Sequence, residues 1–464
     1  MKAYRIKLFT LVVGLSLFSC NEDFLNLEPY QSVDLETAIQ TISDYKAAVL
    51  GTYSGLQSSN YYGRYFVLVP DVMSDNVKQN SQANRAALYS DFDTDANDGI
   101  ASGMWNTIYN TIARANTAIN AKAEIPDAVK ADRDQLVGEA YTLRALAHFD
   151  LVRMFAQHYG FTAANDHPGV PVVTVFDKDA KPSRNTVKEV YTQIVADLNT
   201  AIGLLTQDPG SSRISKMAAK ALLARVYLYM GEYALAEAQA NDVITNSKYS
   251  LLSTDNYVAA WSGRNSSESI FEISFSEVDD NGSDALGRMY IVQGYGDYLP
   301  AGDLIQLIPE GDVRLGLFKE DSNLSGEYGM VRVDKYPDPT VQNSTPVIRL
   351  SEVYLIRAEA RARTGNEPGA REDLDAIRLR GLPSLAPSTA SGQELIDAIL
   401  TERRIELMFE GQRLWDLMRT KQGVNRINCT NSTCKVDYPD NRFVSPIPQG
   451  ELDANENMTQ NPGF

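Results

Sequence analysis

The chain has few of the residues that usually carry chemistry. Among 464 residues there are three cysteines, three histidines and three tryptophans. His148, His158 and His167 stand singly and leave little material for a catalytic triad or a zinc site. No G-x-S-x-G elbow, H-E-x-x-H pair, phosphate loop or dinucleotide fingerprint occurs, so neither cofactor nor metal is expected. Positive charge is short as well: 43 Lys+Arg face 60 Asp+Glu, a formal charge of −17. Such a surface repels phosphates, which excludes nucleic acid as a partner and anionic membrane as a charge-driven dock. Long apolar runs are confined to the first residues. Later ones, such as 221–230, are broken by charge, there at Arg225.

That first run is an address. Lys2, Arg5 and Lys7 precede an apolar stretch from Leu8 to Phe18, too short for the roughly 20 residues of a membrane span. It stops at Leu17-Phe18-Ser19-Cys20, a sequence similar to a lipobox. Residues 1–19 are then a lipoprotein signal peptide and Cys20 the acylated N-terminus, held in a membrane by lipid chains. A plain secretory signal with a coincidental cysteine is the alternative. Cleavage removes three basic groups and no acidic one, moving the charge from −17 to −20. Cys429 and Cys434, separated by Thr-Asn-Ser-Thr, read as a local disulfide in an exported protein or as two free thiols.

The rest, 20–464, has no low-complexity linker and reads as one body. Helical periodicity covers Gly103–Ala123 (Trp105, Ile108, Ile112, Ala115, Ile119 on one face), Asp132–Tyr159 and Val187–Leu205. Lys216–Leu252 places Tyr227, then Gly231 at a turn, then Ala236 and Ala240 four apart. Val347–Arg380 repeats the pattern with Tyr354, Ala358, Gly365 and Ala370. Each resembles one tetratricopeptide unit, a helix pair that buries its face by stacking on its neighbours. Helical repeats are thus expected mainly in 101–250 and 347–420. Residues 51–100 and 253–345 are rich in glycine, asparagine and tyrosine, with short β-like runs such as Ile270–Phe275. Recognition usually sits on such loops.

Separated motifs now resemble the SusD/RagB family over essentially the whole chain. They include Asp23–Pro29, Tyr109–Asn116, Glu139–Ala145, Lys216–Arg225, Glu268–Ile273, Glu402–Leu417 and the closing Gln460–Phe464. The resemblance implies an all-α scaffold of about four tetratricopeptide-like helix pairs, with an irregular loop-rich part holding a few short strands. It implies a lipoprotein on the outer face of the outer membrane, with Glu22 and Asp23 resembling an export signal. It further implies a lid over a SusC-type TonB-dependent barrel, the helical side facing the barrel and the loops holding an oligomeric nutrient.

Catalysis has one place to hide. Glu402, Glu406 and Glu410 are four apart on a helix at 402–416 and so share one face, where two carboxylates could serve as acid and base. Arg403, Arg404 and Arg413 are interleaved and can neutralise them, so a structural ion network is the expectation. For binding, Trp105 and Trp415 sit at core spacing, which leaves Trp261 and tyrosines beside glycines. The candidate ligand contacts are Tyr61, Tyr62, Arg64, Tyr65, Trp261, Tyr290, Tyr295, Asp297 and Tyr298. Oligosaccharide is the expected ligand. Oligopeptide import, a ligand-free interaction scaffold and a surface hydrolase are the competing readings.

Overall fold

The structure is a computed structural model and describes residues 39–464 apart from 81–83, 125, 127, 128, 176, 178, 325–330 and 341. The signal peptide, Cys20 and the acidic pair after it lie outside the described residues. Among the described residues, nine helices of fourteen residues or more make the scaffold: α1 Ile42–Leu56, α2 Gly99–Ile119, α3 Lys130–Phe155, α4 Val187–Leu204, α5 Lys216–Met230, α6 Tyr233–Asn246, α7 Leu350–Arg363, α8 Glu367–Gly381 and α9 Gly392–Glu406. Local chemistry sets their starts. Thr41 with Asp44 and Thr186 with Glu189 form capping boxes, while Asp98 and Ser215 each accept an amide of the first turn. Gly231 (φ 76°) and Gly365 (φ 89°) turn the chain at the two expected repeat hairpins, in the left-handed region that favours glycine.

Every helix packs on the next, from α1 through to α9. That includes α6 on α7, although residues 247–349 run between them. Fully buried alanines, among them Ala219, Ala224, Ala236, Ala240, Ala358 and Ala370, let the axes approach closely. The result is the all-α, tetratricopeptide-like scaffold of helix pairs that the sequence predicts.

Among the described residues, the loop-rich part carries four two-stranded sheets. β1 Val77–Gln79 pairs with β3 Tyr298–Pro300, and β2 Ser269–Ile273 with β6 Thr345–Arg349. β4 Phe318–Glu320 pairs with β5 Val331–Val333, and β7 Val424–Asn425 with β8 Lys435–Val436. All are antiparallel. The β2–β6 pair closes the base of the 247–349 insertion beside α7, while β1–β3 ties the insertion to the first loop region. Cys429 and Cys434 are bonded across the β7–β8 hairpin, with Cα atoms 5.6 Å apart.

One expected helix is two. α9 ends at Glu406, Leu407–Gln412 forms a turn, and a short helix follows over Arg413–Arg419. Phe409 (φ 63°) and Gly411 (φ 70°) make the break. Gly411 lies so close to Val67 that a Cβ there would sit 2.8 Å from the Val67 carbonyl oxygen. Phe409 meanwhile packs into the core against Tyr290 and Phe318. Glu410 therefore lies beyond the helix that carries Glu402 and Glu406, and is buried as they are.

The three carboxylates enter a buried ion network, with partners other than those expected. Glu406 receives Arg349 (2.6 Å), Arg380 (2.6 Å) and Arg314 (3.1 Å). Glu402 pairs with Arg314 at 2.5 Å, and Glu410 with Arg349 (2.8 Å) and Lys335 (2.7 Å). Glu268 holds Arg349 and Arg380 from the other side. The interleaved arginines go elsewhere: Arg403 to Asp416, Arg404 to Asp303 and Arg413 to Asp75. Burial pushes Glu406 up, but its three arginines outweigh it and hold the carboxyl well below its ordinary range. None of these groups is free to act as an acid or a base.

Removing one partner strands a buried charge. Arg349→Met is expected to lower the unfolding free energy by about 3–5 kcal/mol in urea titration. Asp71 behaves oppositely. Burial raises its carboxyl to about 8, against the Gly411 amide and Lys335, which both lower it. The folded state thus keeps a proton that the unfolded chain, with an ordinary value near 3.8, releases. Stability lent by that proton is present below 3.8 and lost as pH rises towards 8, by up to about 1.4 kcal/mol per pH unit. Asp71→Asn is expected to flatten this slope when denaturation is followed between pH 5 and 8.

Candidate functional site

The two loop regions meet on one face, and the structure sorts the nine candidate residues by burial. Tyr61 and Tyr62 are core residues, at 0% and 4% exposure. Both hydroxyls donate to Asp150 Oδ2 on α3, at 2.6 and 2.9 Å, and Arg153 donates to the other oxygen at 2.6 Å. Tyr290 is fully buried against Tyr336 and Phe409. Tyr298 is fully buried in β3 and donates to the Arg85 carbonyl at 2.6 Å. Their expected exposure is therefore corrected. Gly63 beside Tyr61 and Tyr62, and Gly296 beside Tyr298, draw the backbone inward instead. A Cβ at Gly63 would collide with Asn281 and the Gln57 carbonyl, and one at Gly296 with Arg332.

What remains at the surface is a pair of arginine-covered rings. The Arg64 guanidinium lies 4.0 Å from the Tyr65 ring centre and pairs with Asp284 at 2.5 Å. The Arg85 guanidinium lies 3.2 Å from the Tyr295 ring centre and pairs with buried Asp297 at 3.1 Å. Tyr295 is 40% exposed, Tyr65 is half-buried, and Arg64 is itself buried beneath it. Burial raises the Tyr65 phenol, and the charges acting on it are Arg64, Asp284, Arg85 and Asp98. Both pairs thus share one neighbourhood. An arginine stacked on a ring fixes its plane and leaves the other face or edge for a ligand. The side chain of Asp284, 56% exposed, adds hydrogen-bond acceptors beside them.

Arg85 and Asp284 were not legible as site residues. They reach their partners across 212 and 220 residues of sequence, and no local spacing signals either contact. Trp261 stands apart. It lines a shallow cleft with Arg264, Glu268, Glu272, Ser344 and Arg349. Lys335 Nζ sits 4.1 Å from its ring, and Tyr257 and Tyr336 pack edge-on, so little of the indole is open. Among the described residues, no group of three or more His, Cys, Asp or Glu side chains could hold a metal ion, and no helix is long and apolar enough to cross a membrane.

The division between seat and surface is testable. Tyr61→Phe and Tyr62→Phe each remove a bond to buried Asp150. Each is expected to cost about 1–3 kcal/mol of stability in urea titration while leaving ligand affinity unchanged.

Two family models match this chain. One described as starch-binding associating with outer membrane covers residues 23–228, and one for the SusD family covers 321–464. A SusD superfamily protein from Bacteroides thetaiotaomicron VPI-5482 is 30% identical, with a TM-score of 0.82 over 91% of this chain and 100% of its own. A laminarin-binding SusD-like protein is 25% identical, with a TM-score of 0.74 over 92% and 100%. SusD-like protein P38 of Formosa agariphila is 25% identical over 98% of this chain and 97% of its own.

Proposed function

The chain belongs to the SusD family, and from that premise we propose that it captures oligosaccharides at the cell surface and delivers them to a SusC-type TonB-dependent barrel. Cys20 carries the lipid anchor that holds it to the outer membrane, facing outward, and the helical side meets the barrel. The observation that supports a glycan site best is the Tyr295–Arg85 and Tyr65–Arg64 face. Sugars present flat apolar faces that stack on aromatic rings and hydroxyls that seek charged acceptors and donors, and this face offers both. The starch-binding description of one matching family model and the laminarin-binding neighbour favour sugar over peptide.

Calorimetric titration of residues 21–464 with maltohexaose, laminarihexaose and mixed oligopeptides tests this. Saturable heat with one glycan is expected, and Tyr295→Ala is expected to weaken it about tenfold, the equivalent of losing about 1.4 kcal/mol of stacking. Heat from peptides alone would move the function to oligopeptide import. Glycan binding untouched by both Tyr295→Ala and Tyr65→Ala would move the site, with the Trp261 cleft next in line. Silence from both panels would point to an interaction scaffold.

A further inference from the structure

Both arginine-covered rings of the candidate site depend on very short elements. Tyr65 opens a helix of eight residues, Tyr65–Val72, with Pro70 inside it. Arg85 lies just before a helix of five, Ala87–Asp91. Ala86 and Phe92 frame that helix, both non-glycine residues in the left-handed region at φ 55°. Helices this short gain little from their own hydrogen bonds, and their last carbonyls find no partner within them. They need a hold from outside.

The β7–β8 hairpin supplies it to both. Arg426 is 6% exposed, and its guanidinium donates only to carbonyl oxygens: Val72 (2.6 Å), Ser74 (2.9 Å), Ser90 (2.5 Å) and Thr433 (2.8 Å). Val72 ends the helix that Tyr65 opens, and Ser90 lies in the last turn of the helix after Arg85. One side chain thus caps two helices, reaching them across 354 and 336 residues of sequence. Burial lowers the guanidinium to about 10, so it stays charged at neutral pH.

The tip of the hairpin adds a second hold. Thr430 Oγ1 donates to the Gln79 carbonyl at 2.6 Å, the Ser432 amide to Asp91 Oδ1 at 2.9 Å, and Asn431 to the Ser90 hydroxyl. Gln79 ends β1. Asn80 after it donates to the carbonyls of Gly296 (3.1 Å) and Asp297 (2.9 Å), the two residues that follow Tyr295. Hydrogen bonds therefore run from the tip to both partners of the Arg85–Tyr295 stack. The tip has no apolar anchor of its own. Ile427 is 52% exposed, and residues 428–434 are polar apart from the two cysteines. The bond between Cys429 and Cys434 closes it and removes freedom that an open tip would regain.

We propose that this hairpin is the positioning device of the ligand face. Arg426 and the bonded tip hold Tyr65, Arg85 and Tyr295 in their binding arrangement, and opening the Cys429–Cys434 bond loosens that arrangement and weakens glycan binding. Arg426 and the two cysteines are positioning residues that act through the rings and Arg85. The inference rests on the oligosaccharide reading above.

Replacing both cysteines, Cys429→Ser with Cys434→Ser, opens the tip and leaves the rings in the chain. Affinity for whichever of maltohexaose and laminarihexaose binds the wild type is expected to fall about tenfold, measured well below the unfolding midpoint. A brace that served stability alone would leave that affinity unchanged. Hydrogen exchange read by mass spectrometry should quicken in residues 86–93, while α7 and α9 keep their wild-type protection. Arg426→Lys keeps the charge but cannot span carbonyls on three segments, and should act in the same direction. The cysteine pair carries the test if that variant does not fold. Unchanged affinity in the cysteine variant, or weakened affinity without quickened exchange in 86–93, would overturn the proposal. Exchange quickened throughout the molecule would show a merely structural bond and overturn it equally. A wild type silent to both hexasaccharides would remove the oligosaccharide reading itself, and this inference with it.

Discussion

The contact on which the architecture turns is the buried pairing of Arg349 with Glu406. Arg349 ends β6 at the last residue of the 247–349 insertion, and Glu406 ends α9. Around them gather Glu268 from the start of the insertion, Arg314 and Lys335 from its middle, and Arg380 from α8. Taking so many charges out of water is expensive, and each is tolerated only while its partners are in place. Half-docked arrangements leave an uncompensated buried charge. The insertion therefore has one seat on the helices, and the same network that resembles a catalytic cluster in sequence serves as the lock.

That lock explains how an irregular half can present a defined face. Long loops ordinarily pay in entropy for every contact they make. Here the loops are tied at both levels, by the β2–β6 pair and the Glu406 network at the base, and by Asp150 gathering Tyr61, Tyr62 and Arg153 beneath the surface. The β1–β3 pair then sets Arg85 against Tyr295 and Asp297. Rings whose planes are fixed in advance lose little freedom when a ligand arrives, which favours affinity without a large interface.

The helices were legible because their apolar faces recur at helical spacing and their turns carry Gly231 and Gly365. The break after Glu406 was not. The four-residue spacing of Glu402, Glu406 and Glu410 runs straight through it, and only the approach of Gly411 to Val67 decides the matter, a tertiary fact. The tyrosines misled for a related reason. Glycine beside tyrosine reads as a projecting ring, yet at Gly63 and Gly296 the missing side chain lets the backbone sink against its neighbours and takes Tyr61, Tyr62 and Tyr298 into the core. Tyr295 and Tyr65 stay at the surface, stacked on Arg85 and Arg64. The partner for Tyr295 lies so far off in sequence that no local pattern could announce it.

The claim that the insertion and the helices form one cooperative body is tested most directly by native-state hydrogen exchange. Amides of β2 and β6 should exchange with the same opening free energy as those of α7 and α9, through global unfolding alone. Exchange of the strands at a free energy several kcal/mol below that of the helices would show that the insertion opens by itself, and would contradict the account.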